Sequence, residues 1–485
     1  MYVFVSRIKR KSLIQMFWLR VIVFITRIKR ISGLISLDTK KELGHFWVRE
    51  IWKDKGSMIS YRRSPKHRHL FQKMKGLFDG LDTIQYETDS IPNWDTIVAR
   101  MATEKPGGEN AIKMKTRIIK GFKKMIVMFL IMVLLMIGIM VFIVPSPIDP
   151  VAWHPPAKPS EEGALQQNSL LSSSILLAKG LLKQPEDIVF DDQGRLYTGN
   201  KDGTIRRLNP ENTENIETFA ETGGYPLGLQ FDKEGHLIAA VKNKGLMSIN
   251  ANGDVALLTD QVEGTPITYA NEVAISSDGT VYFTDSSTKY DLGWPFDILE
   301  GRPHGRLLSY DPRSKKTRMI LNKLYFANGI VLSKNEDYLL ISETSRYRII
   351  RYWLKGTMAG TIDVFADNLP NMPDNISVDQ SGDLWVGGSK RIDFVDFLQS
   401  RSFLKKQMAK LPYGLLKKIP TIKRYGYVLR LDSNGEIKQT LHDPSGNVYA
   451  ISSVVKKENT LYFGTLFGDF VGQYTLEDVQ NASAE

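Results

Sequence analysis

The sequence predicts an all-β fold, a six-bladed β-propeller with an N-terminal transmembrane helix. Three observations carry it. The stretch Tyr269 to Ser286 (YANEVAISSDGTVYFTDS) sets two strand-like runs about a Ser-Asp-Gly turn, a β-hairpin signal. The outline returns at Glu186, Leu227, Asn328, Asp374 and Ile451. Such units recur mostly about 40 to 60 residues apart, the period of propeller blades. Strand-like sequence follows most hairpins (Thr204 to Leu208, Leu246 to Asn250, Arg306 to Tyr310, Tyr347 to Leu354, Tyr427 to Leu431), which makes four strands per blade.

The 485 residues suffice for one large domain and an additional region. Apolar residues make up 42% and charged residues 24%, ordinary for a globular chain. The formal charge is +11, but the basic residues crowd the part before the apolar run at Met125. The charge therefore reads as membrane-proximal and no nucleic-acid partner is expected. With no cysteine, disulfide and thiolate chemistry are excluded.

Residues 1–112 form a basic cytosolic region of unknown fold. Within it Met1 to Arg30 reads as a poorly ordered cytosolic tail, with a signal peptide or a basic amphipathic helix on an anionic membrane as alternatives, and residues 31–110 show no motif. The apolar run Leu13 to Ile25 is broken by Arg20 and is too short to span a bilayer. Met125 to Val144 has no charged side chain and is long enough to cross as a single span. Lys113, Lys115, Arg117, Lys120, Lys123 and Lys124 precede it, and Pro145 to Asp149 carry no basic residue. The positive-inside rule makes 113–144 a signal-anchor of type II topology. The propeller is then lumenal or extracellular, at the endoplasmic reticulum, endomembranes or plasma membrane. In that compartment Asn481, in Asn481-Ala482-Ser483, is a glycosylation acceptor. A second sequon, Asn375-Ile376-Ser377, is expected to be buried.

Residues 145–173 are Pro-rich and polar and read as a stalk. Residues 174–478 form the propeller, and 479–485 a tail. Ser174 to Leu182 is the expected closing strand, paired beside Phe470 to Leu476, because an open ring would leave two bare edges. A helical insertion is expected near 391–424. Phe394, Phe397, Leu398, Phe403 and Leu404 have roughly helical spacing there, among Lys405, Lys406, Lys410, Lys417 and Lys418. A packed surface helix, a channel cap and a membrane-touching patch all fit.

Aligned on their turns, the six hairpins place Glu186, Leu227, Asn271, Asn328, Asp374 and Ile451 in one register. That register opens the innermost strand, which lines a propeller's axis. Four of the six bear oxygen ligands. Their formal charge of about −2 and all-oxygen character suit Ca²⁺ better than Zn²⁺ or Mg²⁺. Asn375, beside Asp374, is a further ligand candidate. Each of these residues taken singly also has a structural reading, as a cap at a strand start.

The propeller part resembles the strictosidine synthase-like family. The resemblance rests on PEDI at Pro185, ANEVAISSDGTVYFTDSS at Ala270, HGRLLSYDP at His304, FANGIVLS at Phe326, MPDNIS at Met372, LHDPSG at Leu441 and LYFGTLF at Leu461. The wider superfamily includes paraoxonases, gluconolactonases and phosphotriesterases. The resemblance implies an axial calcium at Glu186, Asn271, Asn328 and Asp374, and the anchor ahead of the propeller looks like that of the adipocyte-type members. It further implies a calcium-dependent, arylesterase-like hydrolase of small-molecule esters or lactones, with Asp374 as nucleophile or general base. His304, in a loop, is a further candidate for the base. The alternative is a non-catalytic, membrane-displayed propeller with structural calcium that binds partners. The alkaloid-condensing members use a glutamate in the last inner strand. Here that segment is Ile451-Ser452-Ser453-Val454, with no carboxylate, so amine–aldehyde condensation is not expected. No G-x-S-x-G elbow is present.

Overall fold

The computed structural model describes residues 1–9, 31–42, 45–74, 81–103, 128, 132, 136, 138–290, 294–416 and 424–476. The chain divides into two compact units, Met1–Met140 and Val141–Glu485.

The first unit corrects the expectation of a poorly ordered tail. Tyr2–Lys9 is an interior strand of a four-stranded antiparallel sheet, flanked by His45–Trp52 and Leu81–Glu87, with Leu34–Glu42 at the edge beyond His45–Trp52. Val3, Val5, Trp47, Ile84 and Tyr86 form a core with Ile97 and Met101 of the helix Trp94–Thr103. Both faces of the strand's first half are covered: Val3 and Val5 lie in this core, and Tyr2 and Phe4 in a second with Trp52 and Met58. Among the described residues no helix is long and apolar enough to cross a membrane. Residues 125–127, 129–131, 133–135 and 137 of the run Met125–Val144 lie outside them.

The second unit contains six four-stranded antiparallel sheets. Their inner strands are Ile188–Phe190, Tyr225–Phe231, Ala270–Ile275, Ala327–Leu332, Asn371–Val378 and Ile451–Lys457. Each inner strand packs against the next, and the sixth returns to the first. The ring is closed by chain ends: Ile175–Leu177 pairs antiparallel with Val471–Thr475, Leu177 opposite Val471. The sheets bury apolar layers between them, such as Leu340, Ile376, Val386 and Leu429 between the fourth and fifth.

Two features depart from the expected outline. Residues 145–173 do not stand off as a stalk. Val151 N–H donates to Glu300 O (3.0 Å), Trp153 N–H donates to Gln399 O (3.0 Å), and Ile148 is buried. Trp153 packs on Tyr347 and beneath the Arg346 guanidinium. Two apolar anchors and free backbone donors hold this segment to the propeller. The helix Trp294–Glu300 was also not foreseen. The insertion carries the helices Asp393–Gln399, Ser402–Ala409 and Tyr413–Leu416.

Candidate functional site

The site is built by a repeated irregularity. Five inner strands slip register near their start, at Pro226/Gly228, Ala270/Val273, Ala327/Ile330, Pro373/Ile376 and Ile451/Val454. Each slip is a β-bulge, which lets two successive residues avoid the usual alternation. In the sheet register the first bulge position holds Leu227, Asn271, Asn328, Asp374 and Ser452, and Glu186 precedes the first strand equivalently. The second position holds Asp187, Gly228, Glu272, Gly329, Asn375 and Ser453. The sixth member is therefore Ser452, and the expected Ile451 stands one residue earlier. The last hairpin turns at Glu458, in the left-handed region (φ 53°), six residues after Ser452, whereas Gly279 stands eight after Asn271; the shorter hairpin shifts the register.

The expected ring residues are brought together. Asn328 Nδ2 donates to Asp374 Oδ1 (2.5 Å) and to Thr344 Oγ1 (3.2 Å). Asn375 Nδ2 donates across to Glu186 Oε2 (3.4 Å). Asn271 Nδ2 donates to Ser286 Oγ (2.8 Å), and Ser452 Oγ–H donates to Glu186 O (2.5 Å). Asp374 is also held by its main chain, whose carbonyl accepts from Ser342 Oγ (2.6 Å). Asn375 is buried, so its sequon lies inside the propeller, and Asn481 lies outside the described residues.

Two carboxylates were missed. Asp187 Oδ2 accepts from Leu229 N–H (2.9 Å), and Glu272 Oε1 accepts from Val273 N–H (2.8 Å). Glycines make the room: a Cβ on Gly228 would meet Glu272 Oε1 at 2.5 Å, and one on Gly329 would meet Asn375 Cα at 2.6 Å. The dipeptides Glu186-Asp187, Asn271-Glu272 and Asp374-Asn375 were the available signal.

Four carboxyl groups thus share one buried axis, and among the described residues none of them has a salt-bridge partner. Burial raises all four pKa values. Asp187 and Asp374 are pushed up to about 7, and Glu186 and Glu272 well above the usual carboxylate range. The neighbouring charges of Asp374 and Asp187 add to burial at Glu186, and those of Asp187 and Glu186 do so at Glu272. Meanwhile Asn271 Oδ1, Asn328 Oδ1 and Asn375 Oδ1 are buried with no hydrogen-bond partner. Each amide spends its N–H donors on a neighbour and leaves its oxygen free. Buried oxygens without donors are rare and demand a cause. Among the described residues no group of three or more His, Cys, Asp or Glu forms a metal cage by itself. A cation here would draw on the amide oxygens as well, which is the ligand chemistry of hard divalent ions.

A cavity of about 440 Å³ opens along the axis from the hairpin-turn side. Asp187, Glu272, Asn375 and Ser453 line its inner part, and Lys334 and Asp379 its turn end. On the strand-start side, Leu227, Tyr269 and Phe326 close over the ring with Tyr225 and Trp294.

The histidines stand elsewhere. His304 Nε2 lies 2.6 Å from Glu300 Oε2, and its ring packs on Tyr290, so none of these contacts reaches Asp374. The helix end at Glu300 and the loop after it bring the two within one turn. His442 Nδ1 meets Tyr425 Oη (2.8 Å), and His236 Nδ1 faces Asp232 Oδ2 in a hairpin turn.

Comparison with known proteins agrees with this architecture. Residues 271–357 match the family model described as strictosidine synthase. Residues 163–208 match strictosidine synthase-like, N-terminal. The chain is 36% identical over 313 residues to protein strictosidine synthase-like 6 of Arabidopsis thaliana, covering 61% of this chain and 80% of that one. It is 34% identical over 361 residues to the adipocyte plasma membrane-associated protein of Rattus norvegicus, covering 69% and 94%. With the human form of the latter, identity is 34% over 361 residues, covering 69% and 85%. The chain belongs to the strictosidine synthase-like family.

Proposed function

We propose that this protein is a membrane-anchored, calcium-dependent hydrolase of ester or lactone substrates, built on a six-bladed propeller. One observation carries the reading: three partnerless amide oxygens and four carboxyl groups, without a salt bridge among the described residues, share a buried axis. Glu186, Asn271, Asn328 and Asp374 would hold Ca²⁺, with Asn375 beside them. When bound, that ion supplies polarisation of a carbonyl and stabilisation of the oxyanion.

The chain's own residues supply the rest. Asn328 Nδ2 fixes the Asp374 carboxylate through Oδ1. Oδ2 is left to take a proton or to attack. His304 has no part in this reading. The cavity ending at Asp187, Glu272 and Asn375 supports access from solvent. The aromatic closure on the other side favours a second reading, a structural calcium in a non-catalytic propeller.

A panel of aryl esters and lactones, offered to the full chain with and without chelator, separates the two. Hydrolysis that chelator abolishes and Ca²⁺ restores is expected. Calcium binding without turnover of any panel member leaves the structural reading. For the anchor, Met125–Val144 would span once with the propeller lumenal or extracellular. A C-terminal tag should resist protease in sealed microsomes, and digestion there would refute this topology.

A further inference from the structure

The insertion on the strand-start face is turned inside out. In Ser402–Ala409, Lys405 is fully buried, and its Nζ donates to Val151 O (2.6 Å) and to Gln399 Oε1 (3.2 Å). Phe403 in the same helix is 56% exposed. In Asp393–Gln399, Val395 and Leu398 face the protein while Phe394 and Phe397 stand outward, Phe397 48% exposed. Leu404 and Leu415 extend the outward apolar surface. A water-facing helix normally shows the reverse pattern, and contiguous exposed apolar patches mark interaction surfaces.

The patch continues into the chain that arrives from the apolar run. Lys410 Nζ donates to Val141 O (2.7 Å), and Ser146 Oγ–H donates to Lys406 O (3.4 Å). Beside these contacts Phe142 is 81% exposed, with Ile143 and Val144 also outward. Basic residues rim the surface: Arg401 stacks on Phe397, and Lys406 approaches Asp149. Outward aromatics with a cationic rim are the signature of an element lying in the headgroup region of an anionic bilayer.

We propose that Phe394, Phe397, Phe403, Leu404 and Leu415 form a second membrane contact, which seats the strand-start face of the propeller on the bilayer. This goes beyond the single-span anchor and does not depend on it.

The chain lacks cysteine, so single probes are simple to place. Phe397→Cys, Phe403→Cys and Met358→Cys in the full chain carry a nitrobenzoxadiazole label. Met358 is exposed in a turn at the opposite, hairpin side of the fourth sheet. The labelled chains are reconstituted in phosphatidylcholine vesicles containing phosphatidylserine. Doxyl groups on the acyl chains should quench the probes at 397 and 403 roughly twofold or more beyond the probe at 358. Iodide should quench only the probe at 358. Equal doxyl quenching at all three sites overturns the proposal. Shielding from iodide without doxyl quenching assigns the face to a protein partner and also overturns it. Deuterium exchange on the unsubstituted chain needs no folded variant: vesicles should protect 393–409, and unchanged exchange there counts against the contact. Alkaline carbonate, which strips peripheral contacts and leaves a spanning helix in the vesicle, reads the span separately, so either claim can fail alone.

Discussion

Two acidic clusters are buried in the propeller unit, and the chain treats them oppositely. At Glu300 it brings its own neutralising groups. Lys289 Nζ lies 2.6 Å from Oε1, Asp149 N–H donates to the same oxygen (2.7 Å), and His304 meets Oε2. Burial pushes the Glu300 pKa up, but those bonds outweigh it and hold the group below its ordinary value. On the axis, burial meets no such opposition, and all four carboxyl groups rise. A buried charge needs a partner. The first cluster has one in the sequence and serves as structure. The second has donors only for some of its oxygens, and an ion binding only the folded state would complete it.

The sharpest break of this comparison is Asp374→Asn, which keeps shape and removes a ligand charge. Calcium affinity should fall, with Glu186→Gln behaving alike in calorimetric titration. At calcium concentrations that restore occupancy, ester or lactone turnover should stay down by about 10²- to 10⁴-fold, the worth of a general base. Full turnover by the calcium-saturated variant would leave the ion structural.

Chelation tests the missing counterion next. Calcium at 100 to 1,000 times its dissociation constant should stabilise the fold by about 3–4 kcal/mol. The remaining pH dependence has a definite sign. Asp187 and Asp374 titrate at 3.8 when unfolded and at about 7 when folded. Between those values the folded state keeps protons that the unfolded chain has lost. Stability of the chelated protein should therefore fall as pH rises through that window, and Glu186 and Glu272, raised in the same direction, add to the fall. Calcium displaces the same protons, so its affinity should rise over the same range. Melting curves at several pH values, with and without chelator, read both; a flat chelated profile contradicts the axial assignment.

Lys289→Met attacks the self-neutralised cluster. Lys289 is partly exposed, so the expected loss is about 1–2 kcal/mol in urea unfolding. Calcium affinity should be unchanged, and a matched loss of calcium binding would mean that the clusters are one system.

The smallest effect is expected from Asn271→Asp. The added charge attracts the ion. It also sets an acceptor against Ser286 Oγ, whose hydrogen is already given to Ala327 O. The two terms oppose, so affinity should move by about threefold or less. A tenfold gain in titration would show that Ser286 reorients.

By itself the sequence determined the repeat, because hairpin turns and strand alternation are local and recur in register. It therefore also carried Glu186, Asn271, Asn328 and Asp374, and the strand Ser174 to Leu182 that closes the ring. Tertiary structure decided what local pattern cannot hold. Alternation assigns neighbours to opposite faces, so Asp187 and Glu272 read as blade residues; the bulge between Ala270 and Val273 turned Asn271 and Glu272 together to the axis, and Glu186-Asp187 reach it from ahead of the first strand. The last register depended on a hairpin two residues shorter between bulge and turn than the others, Ser452 to Glu458 against Asn271 to Gly279, which put Ser452 in the place expected for Ile451. Tyr2–Lys9 became an interior strand only through partners more than 35 residues away in the chain, at His45–Trp52 and Leu81–Glu87. His304 shows the same limit from the other side: its chemistry suits a base, but its place in the fold gives it to Glu300.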